Sequence, residues 1–98
     1  MTYFRKKPIT IEAHQWDGSV EGSTPIINWV LEGGGTARYE DAHAPAPTLI
    51  AIDTLEGTMR GIAGDWIVRG AVGEFYPCKP DAFAATFEAV TPGILLSI

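Results

Sequence analysis

The chain reads as an α+β fold that is mostly β, with about five or six strands in antiparallel hairpins forming a small sheet or partly open barrel. Three observations predict this. Ile9, Ile11 and Ala13 alternate with Thr10, Glu12 and His14, the period of two that marks a half-buried strand. Turn residues at Glu56-Gly57 and across Gly70 to Gly73 separate runs that pair as hairpins. Apolar residues at helical spacing, Ile26, Ile27, Trp29, Val30 and Leu31, stop at Gly33-Gly34-Gly35, as a helix does when glycine supplies a left-handed C-terminal cap.

Taken in order, the first strand is expected from Ile9 to Trp16, followed by a turn at Asp17-Gly18-Ser19. Thr24 before Pro25 reads as the N-cap of the helix, which the spacing places near 25–32. The glycines follow this helix and precede no other, so they do not form a phosphate loop, which needs the free amides of a helix N-terminus. Thr36 to Glu40 is a short strand, and Ala42 to Pro47 an extended surface loop, because each proline removes a ladder donor.

Centring the next turn on Glu56-Gly57 sets Asp53 opposite Arg60 and Ile52 opposite Gly61. Centring the last hairpin on Gly70 to Gly73 sets Arg69 opposite Glu74, Val68 opposite Phe75 and Ile67 opposite Tyr76. Both registers bring opposite charges together across the strands. In the second, Trp66, Val68, Phe75 and Pro77 share one face, the better core candidate. Asp65, Ile67, Arg69, Glu74, Tyr76 and Cys78 share the other. Asp81 then caps a short helical turn near 82–85, and Thr86 to Val90 returns as a strand.

Composition bounds the rest. A length of 98 residues with 46% hydrophobic and 19% charged content makes one domain, 1–98, in which 91–98 is an extra strand or an apolar self-association tail. A formal charge of −5 opposes a broad basic surface, so direct nucleic-acid binding is not expected. Arg5, Lys6 and Lys7 form a local basic cluster, read most simply as a solvated strand start. Cys78 is the one cysteine, which excludes an intramolecular disulfide and suits a reducing compartment. No run approaches the ~18 apolar residues of a membrane helix, so a soluble protein with no membrane contact is expected.

The search for chemistry yields little. His14 and His43 make no ligand spacing with Cys78 or a carboxylate, so neither a metal site nor a cofactor is expected. Glu12 and His14 face one side of a strand and could serve as an acid and base, though they read more simply as the polar side of an edge strand. Lys79 next to Cys78 could activate a thiolate, but neighbouring strand residues point to opposite faces. No catalytic residues are assigned.

The best binding candidates are Trp66, Arg69, Tyr76, Lys79 and Asp81. An aromatic platform beside cations suits an anionic, ring-bearing ligand such as a small nucleotide. Tyr, Trp and Arg suit a protein interface equally. A third reading is structural, with Arg69 closing its hairpin on Glu74 and Tyr76 covering the edge of the core.

The opening Phe4-Arg5-Lys6-Lys7-Pro8, the tract Thr54-Leu55-Glu56-Gly57-Thr58-Met59, Gly64-Asp65-Trp66-Ile67-Val68-Arg69-Gly70 and Gly73-Glu74-Phe75-Tyr76-Pro77-Cys78-Lys79-Pro80-Asp81 together carry a resemblance. They resemble a family of small phage-encoded proteins of uncharacterised biochemical role. The resemblance covers roughly Tyr3 to Trp16 and Leu49 to Val90. It departs at Ile62-Ala63, where a proline commonly precedes the glycine, and at Thr91 to Ile98, past the usual end.

What it implies is a small accessory protein made inside an infected bacterium, and no catalytic residues transfer with it. The first reading of its role is a non-enzymatic binder of a host protein in the bacterial cytoplasm, in host takeover or counter-defence. The alternatives are sequestration of a small nucleotide signal and a minor virion component. Self-association as a homo-oligomer is expected, because a small β domain has strand edges to protect.

Overall fold

A computed structural model describes residues 1–41 and 47–90. Six strands and two helices follow one another as β1 (Glu12–Gln15), α1 (Val20–Glu32), β2 (Thr36–Glu40), β3 (Leu49–Thr54), β4 (Gly57–Gly61), β5 (Trp66–Arg69), β6 (Phe75–Cys78) and α2 (Pro80–Thr86). The strands make two three-stranded antiparallel sheets, ordered β1-β5-β6 and β2-β3-β4. The expected mostly-β α+β class is therefore found, as two sheets not closed into a barrel. The expected tail at 91–98 and most of the proline loop, with His43, lie outside the described residues.

Helix α1 packs into a core shared by the two sheets, which also meet directly where β6 lies against β3 and β4. Its buried Ile26 and Val30 pack with Ile50 and Ile52 of one sheet and with Trp16, Ile67 and Phe75 on the other side. The helix begins at Val20, earlier than Thr24-Pro25 suggests, because a stronger cap lies upstream. Ser19 Oγ accepts the Gly22 N–H at 2.8 Å, and Asp17 Oδ1 accepts both the Ser19 N–H and its hydroxyl, at 2.9 and 2.7 Å. Thr24 instead bonds its hydroxyl back to the Val20 carbonyl at 3.2 Å. Pro25 sits inside the helix, where its missing N–H frees only the carbonyl of exposed Glu21.

The three glycines do end α1, and each has its own reason. Gly34 adopts φ +88°, and the Gly35 and Gly34 N–H groups return to Val30 and Leu31 carbonyls at 2.9 and 3.0 Å. A Cβ on Gly33 would stand 2.5 Å from the Phe75 ring, and one on Gly35 2.9 Å from it. Glycine there lets β6 approach the end of the helix.

The first strand is shorter than its alternation. Only Glu12 to Gln15 pair with β5, because Glu12 already faces Arg69 and the chain turns away at Gly70. Residues 1–10 are all exposed.

The β3–β4 hairpin turns one residue earlier than expected. Leu55-Glu56 is its two-residue loop, Thr54 faces Gly57, Asp53 faces Thr58, and Arg60 faces Ala51. Thr54 closes the turn by donating to the Gly57 carbonyl at 2.6 Å and accepting the Glu56 N–H at 3.2 Å, while Gly57 takes φ +115°. Arg60 pairs with Glu40 at 2.7 Å in place of Asp53.

The β5–β6 hairpin differs by a single residue, which matters more. Arg69 faces Phe75, Val68 faces Tyr76, Ile67 faces Pro77 and Trp66 faces Cys78. Glu74 belongs to the loop, where its carbonyl accepts the Gly70 N–H at 2.7 Å. A one-residue shift moves every side chain of one strand to the other face. Ile67, Arg69, Phe75 and Pro77 therefore lie on the inner face toward α1, and Trp66, Val68, Tyr76 and Cys78 on the outer face.

Helix α2 also starts earlier than expected. Lys79 is the N-cap residue, without a side-chain capping bond, Pro80 opens the helix and Asp81 sits in its first turn. Thr86 completes the helix, donating to the Ala82 carbonyl at 2.8 Å, and no strand forms over 86–90.

Candidate functional site

The outer face of the first sheet carries the candidate site. Helix α2 folds back over it, held by the residues of the two motifs noted in the sequence. Lys79 Nζ donates to Asp65 Oδ2 at 2.8 Å, and the same carboxylate oxygen accepts the Ile62 N–H at 2.9 Å. Asp65 is buried while the Lys79 side chain is 64% exposed, so the ion pair ties a surface cation to an interior anchor. One residue on, the Trp66 ring stacks on Phe83 of α2 at 4.2 Å and 4°. Gly-Asp-Trp and Tyr-Pro-Cys-Lys-Pro-Asp thus meet in space as a clamp between sheet and helix.

Beside the clamp runs an open groove of about 820 Å³. Its walls are Ile9 to Ile11 of the N-terminal arm, Ala13 of β1, Trp66 of β5, Phe83 of α2, and Phe87 to Val90 beyond α2. Phe83 and Phe87 lie one helical turn apart with ring centroids 5.0 Å apart. Lys6 crosses the groove mouth with its ammonium 4.4 Å from the Phe87 ring centroid, a cation–π contact. The surface is apolar and aromatic, with cations from the arm at its edge.

Of the five residues singled out in the sequence, the structure brings together four. Trp66 and Tyr76 share the outer face, and Lys79 and exposed Asp81 sit where α2 leaves it. Arg69 is separated from them on the inner face, with its guanidinium 5.5 Å from the Phe75 ring centroid. It does not close the hairpin on Glu74, whose carboxylate accepts the Val72 N–H at 3.2 Å. The platform of Tyr76 flanked by Arg69 and Lys79 is therefore not assembled. The Tyr76 hydroxyl titrates above its ordinary range, chiefly because burial disfavours the phenolate and secondarily because Cys78 and Glu74 add negative charge nearby.

The catalytic candidates are placed as well. Glu12 and His14 do share a face, the inner one, where Glu12 Oε2 accepts the Trp29 indole N–H at 3.3 Å and the His14 ring meets Trp29 edge-on at 4.5 Å. Both are engaged with the helix. The Cys78 thiol is directed at the Lys79 carbonyl at 3.6 Å, and the Lys79 ammonium is spent on Asp65. Among the described residues, no group of three His, Cys, Asp or Glu side chains could hold a metal ion. Among them, too, no helix is long and apolar enough to cross a membrane.

Sequence reasoning missed Phe83, Phe87 and Lys6 as neighbours in the groove, and Asp65 as the anchor of Lys79. The spacing of Phe83 and Phe87 was a visible signal for a helical face extending past residue 85. The Asp65–Lys79 pair had no local signal, since 14 residues separate its members. Comparison with protein-family models, with curated proteins and with solved structures found no match.

Proposed function

We propose that this protein acts by binding rather than by catalysis, as a phage accessory protein that engages a protein of the infected bacterium in its cytoplasm. The observation that carries the reading is the open aromatic groove on the outer face, whose wall includes Trp66 and whose rim includes Lys6 and Lys7 from the motifs that carry the family resemblance. Apolar surface walled by Trp66, Phe83 and Phe87 and fringed by cations has the composition of a protein-interaction hot spot. A partner presenting an apolar segment with acidic flanks would match both the floor and the Lys6-Lys7 rim.

The test is affinity capture from infected bacteria with the full chain and with Phe87→Glu, which places a charge on the groove without touching the Asp65–Lys79 pair. The reading expects a host protein retained at fixed stoichiometry by the unaltered chain, and lost with Phe87→Glu while the melting temperature holds. Equal capture by both chains would overturn the groove as the surface. Copies of the chain in purified particles, with no host protein retained, would favour the virion reading.

A further inference from the structure

The alternation that predicts a strand runs from Ile9 to Trp16, yet within one chain only Glu12 to Gln15 find a partner. Strand β1 stands at the edge of its sheet, with β5 on one side. Ile9 is 52% exposed, and Met1, Tyr3 and Phe4 are more than 80% exposed. Among the described residues, the arm's one backbone hydrogen bond is a local turn, from the Ile9 N–H to the Lys7 carbonyl at 2.9 Å. We propose that the partner of this unmatched strand is a second copy of the chain, joined edge to edge through β1 about a two-fold axis.

The chain's own geometry selects the register. The Trp16 N–H bonds to the Asp65 carbonyl at 3.0 Å, on the β5 side. Backbone groups alternate along an antiparallel strand, so Glu12 and His14 also point toward β5, whereas Ile11, Ala13 and Gln15 point away from it. A two-fold antiparallel pair needs its axis perpendicular to the sheet, which restricts opposite residues to the same face. Centring on Glu12 would oppose two carboxylates and is disfavoured. Centring on Ala13 opposes Ala13 to the partner's Ala13, Glu12 to the partner's His14, and Ile11 to the partner's Gln15. Every outward N–H and carbonyl from Ile11 to Gln15 then meets its counterpart.

Charge supports the same occupant. The arm holds three of the seven basic residues and no acid, leaving four cations against twelve carboxylates in residues 11–98. The Ala13 register, in which opposite residue numbers sum to 26, points Arg5, Lys6 and Lys7 toward the partner's Ser19 to Glu21, the start of its α1, where Glu21 is the acidic residue of the first turn. The cationic arm thus points at an acidic residue of an otherwise acidic body, which orients the pairing and favours encounter. The joined edges make a six-stranded sheet and remove one unpaired strand edge from each chain.

The test starts with solution mass by light scattering on the full chain. The expected result is twice the 10.5 kDa chain mass, and a single-chain mass at all concentrations would overturn the proposal. Register is read by oxidative cross-linking in a Cys78→Ser background. A hydrogen-bonded antiparallel pair holds its Cα atoms about 5.5 Å apart, within disulfide reach. Ala13→Cys is expected to convert fully to a covalent dimer and Glu12→Cys to remain reducible monomer on a denaturing gel. Cross-linking at 12 and not at 13 would overturn the register. Ala13→Pro removes an outward N–H that β5 does not use, so it is expected to yield single chains with unchanged circular dichroism. A folded Ala13→Pro variant that remains paired would also overturn the proposal.

Discussion

The sheet of β2, β3 and β4 buries one face and neutralises the other with its own charges, whereas the sheet of β1, β5 and β6 packs both faces against something. On the first, Ile50 and Ile52 are fully buried beneath α1. Opposite them Asp53 accepts the hydroxyls of Thr36 and Thr58 at 2.7 Å each, and Glu40 accepts Arg60 at 2.7 Å. That outer surface is complete in itself. On the second sheet, Ile67 and Phe75 enter the core while Val68 is buried on the reverse side and Trp66 is stacked under α2. A four-residue strand buried on both faces is an expensive use of a small domain's apolar residues, and it creates a second apolar layer with an open groove. The first sheet scaffolds, and the second presents.

The comparison predicts where a truncation spreads. Ile52→Ala removes a fully buried side chain shared by sheet and helix, so a loss of about 3 kcal/mol is expected, from transfer and cavity terms together. Chemical denaturation should show it as a lower midpoint at unchanged slope. A loss below 1 kcal/mol would mean that the core between the sheets can collapse around the gap, and that the scaffold is softer than its packing implies.

The clamp supplies an asymmetric second test. Lys79→Met strands the buried Asp65 carboxylate with only the Ile62 N–H, and should cost about 3 kcal/mol. Asp65→Asn releases an ammonium that is already largely in water, and keeps an acceptor for the Ile62 N–H. About 1.5 kcal/mol is expected. If the two variants cost the same, the pair acts as an ordinary surface contact and not as an anchor for α2.

How the two hairpins were legible follows from the same physics. In β3–β4 the turn lies one residue earlier than the Glu56-Gly57 signal places it, a two-residue shift in pairing that keeps Ile50 and Ile52 on the inner face. In β5–β6 the shift was one residue, and it exchanged Phe75 with Tyr76. Charge matching suggested Arg69 opposite Glu74, but a surface pair contributes little, about 0–1 kcal/mol. Burying Phe75 against Gly33 and Gly35 outweighs it. The fold class, the glycine helix end and β2 could be read locally. The helix start could not, because Pro25 is a louder signal than the Asp17–Ser19 cap. The groove depends on α2 folding back, which is a tertiary event.

On the presenting side, Phe83→Ala should act locally. Phe83 is partly exposed and its loss removes the stack with Trp66, so about 1.5 kcal/mol is expected, less than for a core residue. Amide exchange should accelerate over α2 while β3 and β4 keep their protection. Acceleration spread evenly over both sheets would make the outer layer part of the main cooperative unit, and erase the distinction between scaffold and presenting sheet.

The smallest effect concerns acid, and it falls on the scaffold. Asp53 titrates below its ordinary 3.8, first because Thr36 and then Thr58 donate hydroxyl hydrogen bonds to its carboxylate, with Arg38 adding to them. Glu40 titrates below 4.5, first through its hydrogen bond from Arg60. A carboxylate whose folded value lies below its unfolded one stabilises the fold above the unfolded value, and that contribution fades as pH falls through the folded one. Melting temperature should therefore be level with respect to these groups above about pH 5, then decline as pH drops through 4.5 and 3.8. Asp53 is exposed and the Glu40 side chain is 32% exposed, so salt should shrink the decline. Asp53→Asn with Glu40→Gln should flatten it. An unchanged acid limb in the double variant would assign the decline to the remaining described carboxylate with a lowered value, Asp17, which holds the Ser19 cap. The acid sensitivity would then belong to the start of α1, which both sheets share.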